Sequence, residues 1–193
     1  MTVGAIILAA GRGSRMRGTS KLTADLHGKP VVAYAAEAVT DVGLPPPLVV
    51  LGDRATAVRA AVGDRPAQFV VAPDFDNGLS CSLRAGLAAA PAEWEAVLVM
   101  LGDMPRVSPA TLQSLAAVAS RTAVAVPTWQ GRRGNPVLWG RFHFPALVRL
   151  VGDTGGKALL SFLAVTAVPA DSDGILQDID TPEALARFRG DPP

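Results

Sequence analysis

Residues 5–21 read AIILAAGRGSRMRGTSK. The apolar run Ala5 to Leu8 goes straight into a loop of glycine and arginine that carries no apolar face. So short a run, ending at a glycine, predicts a buried parallel strand feeding a ligand loop. Ala9, Ala10, Gly11 and Gly13 are small enough to let a phosphate approach the backbone and meet its N–H groups. Arg12, Arg15, Arg17 and Lys21 gather positive charge in the same place. Small residues and cations together suit a polyphosphate, although the same residues would also serve a surface loop made basic for solubility.

Two familiar phosphate loops do not fit. A dinucleotide fingerprint needs G-x-G-x-x-G; Gly11 and Gly13 comply, but Met16 stands at the third glycine. A P-loop needs G-x-x-x-x-G-K-[ST]; Gly13 and Gly18 have that spacing, but Thr19 stands where the lysine belongs.

The chain has 193 residues, 49% of them hydrophobic, which fits one α/β domain with a sizeable core. A net charge of +1 with interspersed signs gives no reason to expect nucleic acid as a partner. One cysteine excludes an internal disulfide, and two widely separated histidines argue against zinc. The first apolar stretch lacks a basic n-region and breaks at Gly11, so it does not read as a signal peptide. No apolar run reaches the ~20 residues a membrane span needs. The expectation is a cytoplasmic protein with no membrane partner.

Further along, short apolar runs alternate with helical stretches. Helices are predicted over 31–42 and 55–62, and strands over 48–51 and 67–71. Such alternation means βαβ units, a mostly parallel sheet, and ligands at the strands' carboxyl ends. Lys29 reads as either a substrate cation or a solvated helix-start lysine, and His27 has no assigned role. Ser80 reads as the N-cap of a helix to about residue 90. Behind the turn Asn77-Gly78, such a helix start would offer Ser80 and Ser82 to a base, ribose or phosphate. Plain capping would use Ser80 alone.

The clearest buried strand is AVLVML, 96–101, which ends in Gly102-Asp103-Met104-Pro105. An aspartate there lies where the sheet meets its ligand and can hold Mg²⁺, though turn chemistry alone also favours Asp. Ser108 and Pro109 begin a helix to about residue 120. A turn at Gln130-Gly131, between strands over 123–129 and 136–139, would carry Arg132 and Arg133 at its tip, either solvated or on substrate. Residues 142–165 read as two helices broken at Gly152–Gly156. Lys157, near a helix start, is oddly placed for a cation, and Asp153 or a bound anion would compensate it. Thr181-Pro182-Glu183 caps a last helix over 182–189, with Asp178 and Asp180 just ahead of it. By residues alone these two could merely add charge near a helix start.

The first loop resembles the nucleotidyltransferase signature L-A-A-G-x-x-x-R-M-x-x-x-x-K, met by Leu8, Ala9, Ala10, Gly11, Arg15, Met16 and Lys21. The chain is most similar to the MobA-like group, and within it to the molybdopterin cytidylyltransferases (MocA-like). The group's G-M-S-S-S-L-R is matched over Gly78–Arg84 with Leu79 and Cys81 as departures, and G-D-M-P by residues 102–105. Its G-R-R-G-H-P-V is matched over 131–137 with Asn135 for His, its G-D-x-G-A-R over 152–157 with Gly156 for Ala and Lys157 for Arg, and D-I-D-T-P-E outright at 178–183.

The resemblance implies a three-layer, Rossmann-like nucleotidyltransferase (GT-A-type) fold over residues 1–193. It implies that Leu8, Ala9, Ala10, Gly11, Arg12, Gly13, Ser14, Asn77, Gly78, Ser80, Ser82 and Gly102 hold the nucleotide. Arg15 and Lys21 would neutralise the phosphates, and Asp103 and Asp180 would hold Mg²⁺, with Asp178 in support. Arg132, Arg133, Gly134 and Asn135 would face a pterin acceptor. The implied reaction transfers CMP from CTP to the terminal phosphate of molybdopterin and releases pyrophosphate. A molybdenum hydroxylase apoenzyme would be the receiving partner. Ala10 favours CTP, since guanylyl enzymes usually carry Gly there. The alternatives are GTP-dependent guanylyl transfer, a MobA-like NAD(P)H-dependent reductase, and a cofactor-delivery chaperone.

Overall fold

The apolar run at the N-terminus forms strand β1 (Thr2–Ala9) in a computed structural model that describes residues 1–12, 16 and 20–191. A two-stranded ribbon follows, β2 (Asp25–Leu26) against β3 (Lys29–Pro30). The alternation then runs α1 (Val31–Asp41), β4 (Leu48–Leu51), α2 (Ala55–Val62), β5 (Gln68–Val71), α3 (Leu79–Ala89), β6 (Trp94–Leu101) and α4 (Pro109–Ala117). The second half holds β7 (Val124–Trp129), β8 (Arg132–Arg133), β9 (Val137–Gly140), α5 (Phe144–Val148), β10 (Thr166–Pro169) and α6 (Pro182–Gly190).

The strands order as β10-β7-β9-β6-β1-β4-β5, with β8 paired to β7. β1 is parallel to both β4 and β6, β4 to β5, and β10 to β7; β9 runs antiparallel between β6 and β7. The sheet is therefore mostly parallel, as predicted. From β1 the chain builds outward through β4 and β5, then returns to the other side of β1 as β6. The carboxyl ends of β1 and β6 thus flank a topological switch point, where open α/β sheets bind ligands.

Side chains alternate across the sheet with the strand period of two. Ile7, Val49, Leu98 and Met100 pack into a core with Val32 and Val39 of α1, Val58 of α2 and Leu112 of α4. Ile6, Val50 and Val97 pack on the other face with Leu83 of α3 and Leu147 of α5. At Gly86 of α3 a Cβ would lie 2.7 Å from Ile6 Cγ2, so only glycine lets this helix settle so closely on the sheet. A third cluster of Leu26, Val31, Ile179, Leu185 and Phe188 ties α6 to the ribbon. It also brings the segment before α6 to the end of β6, where Ile179 N–H donates to Asp103 C=O at 3.0 Å.

Several local expectations need correction. The N-cap of α3 is Gly78, at φ 105°, and not Ser80. Steric fit explains the choice: a Cβ at 78 would lie 2.3 Å from the Gly152 carbonyl carbon, and left-handed φ favours glycine. Arg132 and Arg133 form β8 and are not the hairpin tip, which is Gln130-Gly131. Residues 142–165 give a short α5 flanked by 3₁₀ turns at Arg141–His143 and Gly156–Phe162 instead of two helices. The glycines at 155 and 156 press on Leu79 and Trp139, a packing demand that periodicity does not report. β10 was not foreseen. Ser108 and Thr181 cap α4 and α6 as predicted, accepting from Thr111 N–H and Ala184 N–H.

Candidate active site

The ends of β1 and β6 are stitched together by Gly102 N–H donating to Leu8 C=O at 3.0 Å. Beside them Lys21, on a 3₁₀ turn over Lys21–Thr23, reaches the carboxylates of Asp103 and, at 2.6 Å, Asp180. These side chains are 16%, 13% and 27% exposed, so the ion pairs lie largely out of water. Asp178 completes the group: one carboxylate oxygen from each of Asp103, Asp178 and Asp180 lies within 4.8 Å of the others.

Asp103 Oδ1 is buried with no hydrogen-bond partner among the described residues. An orphaned buried acceptor costs about 1–3 kcal/mol, more when charged, and points to a missing ligand. Burial drives the Asp103 pKa above its ordinary value; Lys21 opposes that, and Asp178 and Asp180 add to it. Lys21 shows the mirror effect. Burial alone would lower its pKa, but Asp103 and Asp180 outweigh burial and raise it. Three hard oxygen donors, one of them orphaned, fit a divalent cation.

Next to this cluster opens a cavity of about 340 Å³ lined by Leu8, Ala9, Ala10, Gly11, Lys21, Gly78, Ser82 and Asp103. The structure therefore brings eight of the anticipated residues around one space. Phe75, Leu79 and Asp153 also line it and were not anticipated there. The Asp153 carboxylate accepts from Leu79 N–H, at the start of α3, at 3.4 Å. Ser80 turns away: its hydroxyl donates to Gly152 C=O at 2.8 Å. Arg12 and Asn77 line an adjoining hollow, where Arg12 pairs with Asp76 and lies 6.0 Å from the Phe75 ring. Gly13, Ser14 and Arg15 lie outside the described residues.

A second, apolar cavity of about 180 Å³ shares the wall of Leu8, Leu79 and Leu101 with the first. Asn135 and Lys157 are its polar residues, among Val137, Trp139 and other apolar side chains. Gly134 N–H donates to Pro127 C=O and Asn135 N–H to Ile175 C=O, fixing the turn that presents Asn135. Arg132 and Arg133 are exposed on β8 and line neither cavity. Lys29 does not reach the site; it pairs with Glu37 and sits 4.5 Å from the Tyr34 ring. A cavity of about 440 Å³ elsewhere, walled by Tyr34, Val107 and Phe188, touches none of the anticipated residues.

Asp178 stood in the sequence reading only as a supporting residue, yet it contributes an oxygen to the cluster. The signal was the i, i+2 spacing of Asp178 and Asp180 in extended chain, which puts both on one side.

The sequence profile of the MobA-like NTP transferase domain matches residues 5–168. The chain belongs to the MobA-like NTP transferase family. Membership places the domain in the nucleotidyltransferase class. Nicotine blue oxidoreductase of Paenarthrobacter nicotinovorans is 29% identical over 95% of this chain and 94% of its own. The bifunctional protein GlmU of Kineococcus radiotolerans is 37% identical over 139 residues, 70% of this chain and 28% of GlmU. The chain thus spans about a quarter of the length of the GlmU proteins it matches. Among solved structures, Rv0371c of Mycobacterium tuberculosis superimposes with a TM-score of 0.88 at 30% identity, covering 99% of each chain. The same protein solved in complex with manganese gives a TM-score of 0.86 at 28% identity, over 98% of each chain. No described helix is long and apolar enough to cross a membrane.

Proposed function

We propose that residues 1–193 act as one cytoplasmic nucleotidyltransferase domain that moves CMP from CTP to the terminal phosphate of molybdopterin, releasing pyrophosphate. The observation that carries the transferase reading is the convergence of Lys21, Asp103, Asp178 and Asp180 beside the β1 loop, with one Asp103 oxygen orphaned. Asp103, Asp178 and Asp180 would hold Mg²⁺, and the manganese complex of Rv0371c supports a divalent ion at such a fold. When bound, the ion supplies charge neutralisation at phosphate oxygens.

The remaining work falls to the chain itself. Lys21 and the amides after Ala9 offset negative charge building on the α-phosphate and the departing pyrophosphate. Ser82, at the start of α3, faces the nucleotide cavity as a polar anchor. The acceptor phosphate monoester, with a second pKa near ~6, is already anionic at neutral pH. It needs positioning more than a general base. His27 and His143 accordingly bond to the backbone at Phe188 and Thr122, away from the acidic cluster. The choice of CTP rests on Ala10 and the cytidylyl resemblance, and delivery to a molybdenum hydroxylase apoenzyme would follow transfer.

A second reading, reduction by NADH or NADPH, draws on the nearly full-length likeness to nicotine blue oxidoreductase. Thermal unfolding with CTP, GTP, ATP, UTP, NADH or NADPH, each with and without Mg²⁺, separates the two. A nucleotide at a hundred times its Kd adds about 2.7 kcal/mol of stability. The proposal expects a Mg²⁺-dependent shift with CTP; a shift with GTP alone moves the donor to guanylyl. A metal-indifferent shift with a reduced nicotinamide alone overturns transfer, and binding of molybdopterin without nucleotide turnover leaves only delivery.

A further inference from the structure

Lys157 is a cation whose expected partner is engaged elsewhere. Asp153, the neighbour that could have balanced it, instead accepts from Leu79 N–H at the start of α3. Among the described residues the Lys157 ammonium has no hydrogen bond and no ion pair; its electrostatic partner is Asp178 of the acidic cluster. Lys157 is an exposed residue that also lines the apolar cavity of about 180 Å³, at whose rim it feels the charge of Asp178. Its placement is fixed by the two preceding glycines. A Cβ at Gly155 would lie 2.9 Å from Leu79 Cδ2, and one at Gly156 2.8 Å from Trp139 Cζ2, so this backbone lies directly on the cavity wall.

The cavity is small, flanked by Trp139 and Val137, and polar only at Asn135 and Lys157. A site of ~150 Å³ lined by apolar side chains takes a benzene ring. An anionic group approaching the carboxylates of Asp103, Asp178 and Asp180 would be repelled without a cation on its own side. We propose that Lys157 is the acceptor-positioning residue, meeting the phosphate of a monoester whose flat apolar body fills the cavity beside Trp139. This assignment rests on the transferase reading and names the substrate class at its acceptor side.

Phenyl phosphate is the probe, titrated calorimetrically into the full chain as wild type, Lys157→Met and Lys157→Arg. Unfolding midpoints check that each variant folds, and CTP with Mg²⁺ is titrated separately. The inference predicts that Lys157→Met weakens phenyl phosphate on the order of tenfold, the scale of one charge-assisted hydrogen bond. Lys157→Arg restores it, and phenol binds wild type and Lys157→Met equally. Absence of phenyl phosphate binding to wild type, or equal binding by Lys157→Met, overturns it. If CTP fails to bind with Mg²⁺ while phenyl phosphate still depends on Lys157, the donor reading fails and the anion site stands.

Discussion

Lys21 sits between two carboxylates, whereas Glu37 sits between two cations, Lys29 and Arg65. The parts are the same and the balance is opposite. Around Glu37, Arg65 donates through Nε at 2.7 Å and Lys29 pairs from the other side. Burial would raise the Glu37 pKa, but those hydrogen bonds outweigh it and hold the carboxyl below its ordinary value. Around Lys21, carboxylates outnumber cations among the described residues, burial pushes Asp103 up, and one of its oxygens has no partner there. A satisfied cluster stabilises the fold. An unsatisfied one, kept at a sheet switch point, is positioned to complete itself with a ligand.

The sharpest way to break this contrast is Asp103→Asn. It should cut nucleotidyl transfer by on the order of 10³-fold or more, the upper range for removing a preorganised electrostatic group. The unfolding midpoint should hold or rise, because a buried carboxylate with an unpaired oxygen has been removed while Asp180 still pairs with Lys21. A large fall in stability with activity retained would make the cluster structural. Lys21→Met comes next, with transfer falling on the order of 10²-fold, measured as pyrophosphate release.

Divalent ions sharpen the comparison further. Mg²⁺ or Mn²⁺ at a hundred times its Kd should stabilise wild type by about 2.7 kcal/mol and leave Asp103→Asn unmoved. The smallest effect belongs to the other cluster. Glu37→Gln should cost about 1 kcal/mol or less, as partly exposed ion pairs do, with transfer unchanged. Because the folded pKa of Glu37 is depressed, its contribution is full above the ordinary value of about 4.5 and is lost as pH falls below it. Acid titration of unfolding should therefore separate wild type from Glu37→Gln near neutral pH and bring them together in acid.

The two clusters also differ in how far they could be read beforehand. The β1 loop, Gly102-Asp103 and Asp178–Asp180 stand out because glycines, carboxylates and strand ends carry chemical meaning in short windows. The meeting of the β1 loop with Gly102-Asp103 follows from parallel topology, which places strand ends together; the approach of Asp180 was implied by the family resemblance alone, and the packing of α6 on the ribbon delivers it. What remained hidden depended on long-range packing. Gly78 displaced Ser80 as the cap because Gly152 lies against it, and Ser80 then spent its hydroxyl on Gly152. Residues 142–165 lost a helix to 3₁₀ turns pressed on Trp139 and Leu79. Lys157 could be seen as unbalanced in sequence, but only the fold shows that Asp153 is engaged elsewhere and that a cavity adjoins it.

The most direct test of the central claim is pyrophosphate release from CTP on adding molybdopterin with Mg²⁺, comparing wild type with Asp103→Asn. The account predicts release by wild type in step with CMP transfer to the acceptor, and its loss in Asp103→Asn. Equal rates in the two proteins would contradict the assignment of Asp103, Asp178 and Asp180 as the catalytic centre.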